Sequence, residues 1–413
     1  MNTSNNISFY NKLLLFFIYL NSATILVPDK FKAWPIAILA LIIILRHFKL
    51  TTKPVLEIKK LLISIGFFLI LVLSTAYSSD IPYALKKLET GSSLVVFPLI
   101  FYIIAGDRNI FSDNTIRTLK LTFIISLVFF LISTFTYFYF TEPFFSFKNT
   151  LEHYTNLVDI RISKYSTHPI YLSIYIGIAI IFSFTLFKEN KPKIKCFIFF
   201  ALPLLIAFTA ILNKKGPIIS LAVIGLFFLI KNKFNFKKIV YITPLFILLV
   251  GLVVFIPRYE NENKFEELLE IGNNKNSSSG IRLQIYGCAL QKIAKAPICG
   301  YGWGDVKTAL RNCYAGKNSE ELLKNNYNSH NQYLSILLSI GILGFIAFVY
   351  YLFYILKVSR QRNSQLLFFL TLYFCLNMLT ENILEREDGV IVIAFFLNLF
   401  LFRINKKNET IKQ

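Results

Sequence analysis

The chain has 413 residues, of which 55% are hydrophobic and 16% charged, and its mean hydropathy is +0.57. A soluble domain with that balance would leave extensive apolar surface in water, so the composition excludes an ordinary globular protein and points to a membrane protein. The net charge of +21, from 44 Lys and Arg against 23 Asp and Glu, leaves nucleic acid, anionic lipid and phosphorylated lipid to be weighed by where the cations fall.

In chain order, apolar runs predict an all-α, polytopic membrane protein of about twelve transmembrane helices, centred near residues 20, 40, 69, 98, 129, 178, 203, 224, 247, 343, 373 and 396. The spans near residues 40, 98, 224 and 396 are short or interrupted by proline. The first run lacks a small-residue cleavage site and further spans follow it, so no cleavable signal peptide is expected. With a cytoplasmic N-terminus, one face receives Arg46 to Lys60, Arg108 to Lys120, Lys188 to Lys195, Lys231 to Lys238, Lys357 to Arg362 and the segment from Arg403. That is where short-loop cations are retained. The opposite face receives Lys30, Lys32, Lys86, Lys87, Lys214, Lys215, Arg386 and two longer loops, residues 142–168 and 257–330. Most of the basic excess is thereby an orientation signal, which counts against nucleic acid.

The loop 142–168 mixes aromatics with scattered charge, as an interfacial segment does, and His168-Pro169 leads into the next span. Further on, "LNKKGPI" sets Lys214 and Lys215 in a tight turn, and Gly216-Pro217 starts a helix whose positive end faces the same surface. The pair is either an anion site or two lysines snorkelling to the interface. Residues 257–330 open on the acidic "ENENKFEELLEIG". After a Ser- and Asn-rich stretch, Ile281, Ile285, Ala289 and Ile293 recur every four positions and predict a helix lying on the bundle or interface, ended by Pro297. Arg282 opens that helix, where unpaired first-turn amides attract anions; its guanidinium either grips phosphate or is a solvated surface group. In "GYGWG", Gly300, Gly302 and Gly304 let the backbone turn tightly and approach a ligand.

"NNYNSHNQYL" then places His330 where a polar loop becomes an apolar helix. An imidazole there is either a proton acceptor near neutral pH or an interfacial group bonded to a loop carbonyl. Glu381 and Glu385, in "LTENILERED", are carboxylates suited to orient an imidazole or to pair with Arg386. Cys196 and Cys375 lie in apolar spans, whereas Cys288, Cys299 and Cys313 share the long loop and allow one disulfide with one thiol left over. No HExxH, CxxC or Asp-x-Asp pattern predicts a metal, so phosphate binding falls to Arg, Lys and helix ends.

From Ser277 to Gly344, "SSGIRLQIYGCALQKIAKAPICGYGWG" and then "HNQYLSILLSIGILGF" resemble the O-antigen ligase and O-antigen polymerase superfamily of bacterial envelope enzymes. The likeness rests on an Arg opening a loop helix, a Pro followed by a Gly-x-Gly turn, and a His-Asn pair leading into a glycine-containing span. It implies a membrane glycosyltransferase of the C-type fold, transferring a glycan from undecaprenyl diphosphate to an acceptor hydroxyl on the periplasmic side of the inner membrane, with no metal or other cofactor. His330 matches the family's essential His and Arg282 its loop Arg. Where the family has a further Arg at the outer end of an earlier span, this chain has Lys215, which keeps the charge and loses the two-pronged fork. The expected set is therefore His330 and Arg282 as catalytic residues, Lys215, Arg282 and Lys214 on the diphosphate, and His168 and Glu381 in support.

The motif layout favours a ligase acting on lipid A core; a polymerase and a protein O-glycosyltransferase share the chemistry and differ in acceptor. A glycolipid transporter is the reading from another class, and it expects charges deep in several spans. The expected division is an N-terminal transmembrane bundle over residues 1–256, a large periplasmic loop with short helices over 257–330, and C-terminal transmembrane helices over 331–413. Expected partners are the lipid-linked donor, the hydroxyl acceptor and membrane lipids.

Overall fold

The computed structural model describes residues 2–49, 57–107, 110–141, 146–161, 168–189, 191–231, 278–317 and 320–403. Every regular element among them is helical. In chain order the α-helices are α1 (Asn2–Ser22), α2 (Ala33–Lys49), α3 (Ile58–Ser74), α4 (Ile81–Gly91), α5 (Ser93–Ile103), α6 (Asp113–Thr141), α7 (Phe147–Arg161), α8 (Pro169–Phe187), α9 (Pro192–Leu212) and α10 (Lys215–Lys231). They continue with α11 (Ser278–Lys295), α12 (Val306–Gly316), α13 (Glu320–Asn325), α14 (Gln332–Gln361), α15 (Gln365–Asn377) and α16 (Glu387–Phe402).

Among the described residues, six stretches are long and apolar enough to cross a membrane: Asp29–Phe48, Ile58–Tyr77, Asp113–Thr141, Pro169–Phe187, Pro192–Leu212 and Gln332–Gln361. Of the twelve expected centres, eleven fall within helices, but several of these helices are too short to span alone. The region near residue 98 is one such case: α4 and α5 meet at Ser92, and only α5 is apolar. The centre near 247, the acidic stretch of the long loop and the boundary near residue 256 lie outside the described residues.

The most buried of the late helices is α16. From Asp388 to Phe402 every residue of α16 is buried, and it packs mainly on α5, with α14, α15 and α4 around it. A helix apolar on all sides needs neighbours on all sides. At its start Lys32, 2% exposed, is clamped between Asp29 and Asp388. An unpaired ammonium at that depth would be strongly disfavoured.

Ion pairs sort the loops into two ends. At one, Arg46 pairs with Asp107, Arg117 with Glu189, Arg403 with Asp113, and Arg362 with Glu57 at 3.8 Å. At the other, Lys32 meets Asp388 and Lys87 lies 3.3 Å from Glu385. These groupings match the two faces that the charge rule separates.

The segment from α11 to α13 folds onto α14. Ile285, Cys288 and Ala289 are fully buried against Val306, Leu310, Tyr314, Leu322 and Leu338, and Cys288 is disulfide-bonded to Cys313. Cys299 remains a free, exposed thiol. The expected four-residue periodicity thus faces α12 and α14.

The glycines of "GYGWG" serve this docking. Gly300 and Gly302 have φ of +68° and +87°, and added Cβ atoms would meet Leu338 O at 2.6 Å and Ser78 Oγ at 2.4 Å. On Gly304 a Cβ would meet Asp80 O at 2.4 Å. The close approach expected toward a ligand is made instead to helix α14 and to the turn before α4. Helix α14 is broken to receive it: Gly341 has φ +62° and ψ −163°, and the backbone N–H groups of Tyr301 and Gly302 donate to Leu338 O and Ser339 O at 2.8 and 2.9 Å. Ile342 N–H donates to Pro297 O at 2.9 Å, so groups released by the kink find partners in the loop.

Candidate active site

Residues 325–335 and 378–386 lie side by side at the end of the bundle that carries Lys87. Gln332 N–H donates to Met378 O at 2.8 Å, Asn331 Nδ2 to Leu379 O at 3.0 Å, and Ser329 Oγ to Asn382 Oδ1 at 3.1 Å. Asn331 caps α14, its side chain accepting from the N–H groups of Tyr333 and Leu334. These bonds fix His330 just before the helix. Its φ is +43°, a left-handed conformation unusual for a side chain of this size. Two bonds hold it there: its N–H donates to Asn328 Oδ1 at 3.0 Å, and its carbonyl accepts from Tyr286 Oη at 3.3 Å. A strained backbone fixed on both sides marks a side chain whose direction matters.

That direction is toward Glu381. His330 Nδ1 is 3.5 Å from Glu381 Oε2, one of the two carboxylates the sequence offers to orient an imidazole. Burial pushes the Glu381 carboxyl up, but the His330 imidazole, the charge of Arg282 and that of His168 outweigh it, and the group is held below the ordinary carboxylate range. Glu381 is therefore an anion at neutral pH.

The pair borders a cavity of about 380 Å³ whose walls include His168, Tyr171, Arg386, Ser335, Lys87 and Tyr83. His168 caps α8, Nδ1 accepting from Ile170 N–H at 3.3 Å. With Nδ1 as acceptor, a neutral imidazole carries its proton on Nε2. Burial holds the His168 pKa down, and the charges of Arg386 and Lys214 lower it further against Asp159 and Glu381.

Of the residues expected from sequence, His330, Glu381 and His168 line one cavity. Lys214 and Arg282 are not among the residues that line it; their charges act from outside, that of Lys214 on His168 and that of Arg282 on Glu381. Lys215 begins α10, and a Cβ on the next residue, Gly216, would meet Thr380 Oγ1 at 2.4 Å, so this turn abuts the residue before Glu381. Two details differ from expectation. Helix α11 begins at Ser278, which sets Arg282 in its second turn, away from the unpaired first-turn amides. Glu385 pairs with Lys87 at 3.3 Å and also accepts from Ser335 Oγ at 2.6 Å, Asn382 Nδ2 at 2.8 Å and Asn328 Nδ2 at 3.2 Å.

That arrangement leaves Arg386 in a role the sequence reading missed. It lines the cavity, and among the described residues no carboxylate lies within ion-pair distance of it or of Arg282. Around one chamber stand two imidazoles, the Glu381 carboxylate beside one of them, and the Arg386 guanidinium, with no carboxylate among the described residues within ion-pair distance of it. Such a set can accept a proton and hold a polyvalent anion.

A family model described as Wzy_C, O-antigen ligase, matches residues 200–349, less than half of the chain. The match contains Lys214, Lys215, Arg282 and His330, and stops short of Glu381 and Arg386. An uncharacterized protein of Haemophilus influenzae is 29% identical over 166 residues, which cover 38% of this chain and 41% of that protein's length. Over the stretch holding His330 and Arg282, the chain is thus similar to the O-antigen ligase and polymerase superfamily of membrane enzymes.

Proposed function

We propose that the protein is a membrane glycosyltransferase of the O-antigen ligase type. It moves a glycan from undecaprenyl diphosphate to a hydroxyl of lipid A core, on the periplasmic face of the inner membrane. The observation that carries this reading is the His330–Glu381 pair bordering the same chamber as Arg386 and His168. The division into an N-terminal bundle, an outer loop segment and C-terminal helices is part of the same proposal.

A glycosyl diphosphate is already activated, so the protein has two tasks: to hold the charge that grows on the leaving diphosphate and to take the acceptor proton. Glu381 faces Nδ1 of His330 and favours the tautomer with a proton there, which leaves the Nε2 lone pair for the acceptor hydroxyl. In the step, the acceptor oxygen forms a bond to the anomeric carbon as the bond from that carbon to the diphosphate oxygen breaks. The bonding electrons leave with undecaprenyl diphosphate, and the hydroxyl proton passes to His330 Nε2. Arg386, Arg282 and Lys214, with Lys215 at the start of α10, supply the positive charge against the diphosphate.

The test is transfer in detergent from purified lipid-linked glycan, with no membrane gradient. His330→Ala should lower kcat by about 100-fold or more, as loss of a general base does, with expression unchanged; substantial retained turnover refutes the role. The acceptor is read from the cell envelope: loss of a ligase leaves lipid A core bare, whereas loss of a polymerase leaves core with one repeat.

A further inference from the structure

Part of the cavity wall is left unused by the transfer chemistry. It comprises Tyr83 of α4, Trp303, Val306, Lys307 and Leu310 at and within α12, and the turn around Asn326. Asn326 has φ +49°, and its backbone N–H donates to Leu322 O at 3.0 Å, which fixes the turn. Its side-chain Oδ1 is buried without a hydrogen-bond partner. A buried, unpaired amide oxygen is disfavoured, and because Asn326 lines the chamber its side chain gains a partner by turning toward a ligand hydroxyl there.

The charges here are unequal. Lys87 Nζ and Lys307 Nζ both stand over the Tyr83 ring, at 5.5 and 6.0 Å from its centre. Glu385 neutralises Lys87 at 3.3 Å. No carboxylate among the described residues lies within ion-pair distance of Lys307, so one net positive charge remains beside an aromatic face.

An aromatic and aliphatic wall, a buried amide and an adjacent uncompensated ammonium are complementary to a sugar ring: apolar C–H face, hydroxyl rim and an acidic substituent. We propose that Tyr83, Lys307 and Asn326 form a subsite for a sugar bearing a carboxylate or a phosphate, one residue of the glycan or acceptor handled at His330. Asn326 takes a ring hydroxyl, Tyr83 with Val306 and Leu310 packs on the ring, and Lys307 meets the acidic group. This rests on the transfer reading above.

The test uses the full chain in detergent with Trp34→Phe, which leaves Trp303 as the one indole, since the sequence has two tryptophans. Methyl glucuronide, glucose 6-phosphate and methyl glucoside are titrated by Trp303 emission and by calorimetry. The two acidic sugars should bind about three- to fivefold tighter than the neutral one, as a partly exposed ion pair allows, and this preference should fade with salt. Lys307→Gln should abolish the preference. Asn326→Gly, which keeps the left-handed turn, should weaken all three about tenfold. Equal binding of acidic and neutral sugars, a preference that survives Lys307→Gln, or absence of both emission change and heat overturns the subsite. In the transfer assay, a rise in KM for acceptor on Lys307→Gln puts the acidic sugar on the acceptor, and a rise for donor puts it on the donor; neither rising overturns the proposal. Transfer that depends on His330 without sugar binding here removes only the subsite, whereas sugar binding without any transfer removes the reading it rests on.

Discussion

His330 Nδ1 and Glu381 Oε2, 51 positions apart in the chain, face each other at 3.5 Å across the seam between two loops. The carboxylate is ionised and the imidazole ring is aimed by its strained backbone. If Glu381 selects the tautomer of His330 and stabilises its cation, Glu381→Gln should lower kcat by about 10- to 100-fold with little change in donor KM. Glu381→Asp should recover part of the rate. A Gln variant with the parental kcat sinks this role.

Arg386 should act on the donor. Replacing it by Gln removes a fork for phosphate oxygens and should raise donor KM about tenfold or more. Arg386→Lys keeps charge but not geometry, and should fall between. Steady-state kinetics with varied donor concentration decides; unchanged KM in both variants excludes contact with the diphosphate.

His168 gives a pH signature. Its folded pKa lies below the ordinary 6.5, because of burial first and then Arg386 and Lys214. Between those two values the unfolded chain binds more protons than the folded one, so stability rises with pH. The contribution is complete above about 6.5 and is lost as pH falls through the folded value. Thermal unfolding at about pH 5 and pH 7.5 should therefore show an acid loss that shrinks in His168→Asn, a variant that retains a capping oxygen. An equal acid loss in both proteins would place the titration elsewhere.

Gly341 carries a purely structural prediction. A Cβ there would meet Ile298 O at 2.1 Å, and φ is +62°. Gly341→Ala should destabilise by roughly 3 kcal/mol, adding left-handed strain to a backbone clash. It should also loosen the α11–α13 segment from α14. Melting in detergent, with protease nicking between Pro297 and Val306 as a second readout, checks both; parental values for each would refute the docking.

Some of this is legible in the sequence. Helix class, the apolar runs and the two charged faces follow from composition and from the price of leaving charge in hydrocarbon. His330, His168 and Glu381 showed themselves as polar groups at the edges of apolar helices. The remainder depends on contacts between distant segments. Nothing local says that Glu385 belongs to Lys87, 298 positions earlier, and so the reading gave Glu385 to its neighbour Arg386 and hid the latter's availability. Gly341 lies in an unbroken apolar run, and its kink is set by the Pro297–Gly302 loop that docks on it. The Gly-rich turn carried the right backbone property with the wrong object, since one chain cannot tell a ligand from a neighbouring helix.

Glu385 accepts from α4, from the turn before α14, from α14 itself and from its own loop. Those donors are synthesised early and late, and the carboxylate that joins them comes from nearly the end of the chain. A chain without the Glu385 carboxylate would leave these donors without the acceptor they share, so one side chain ties together four segments of the chamber wall.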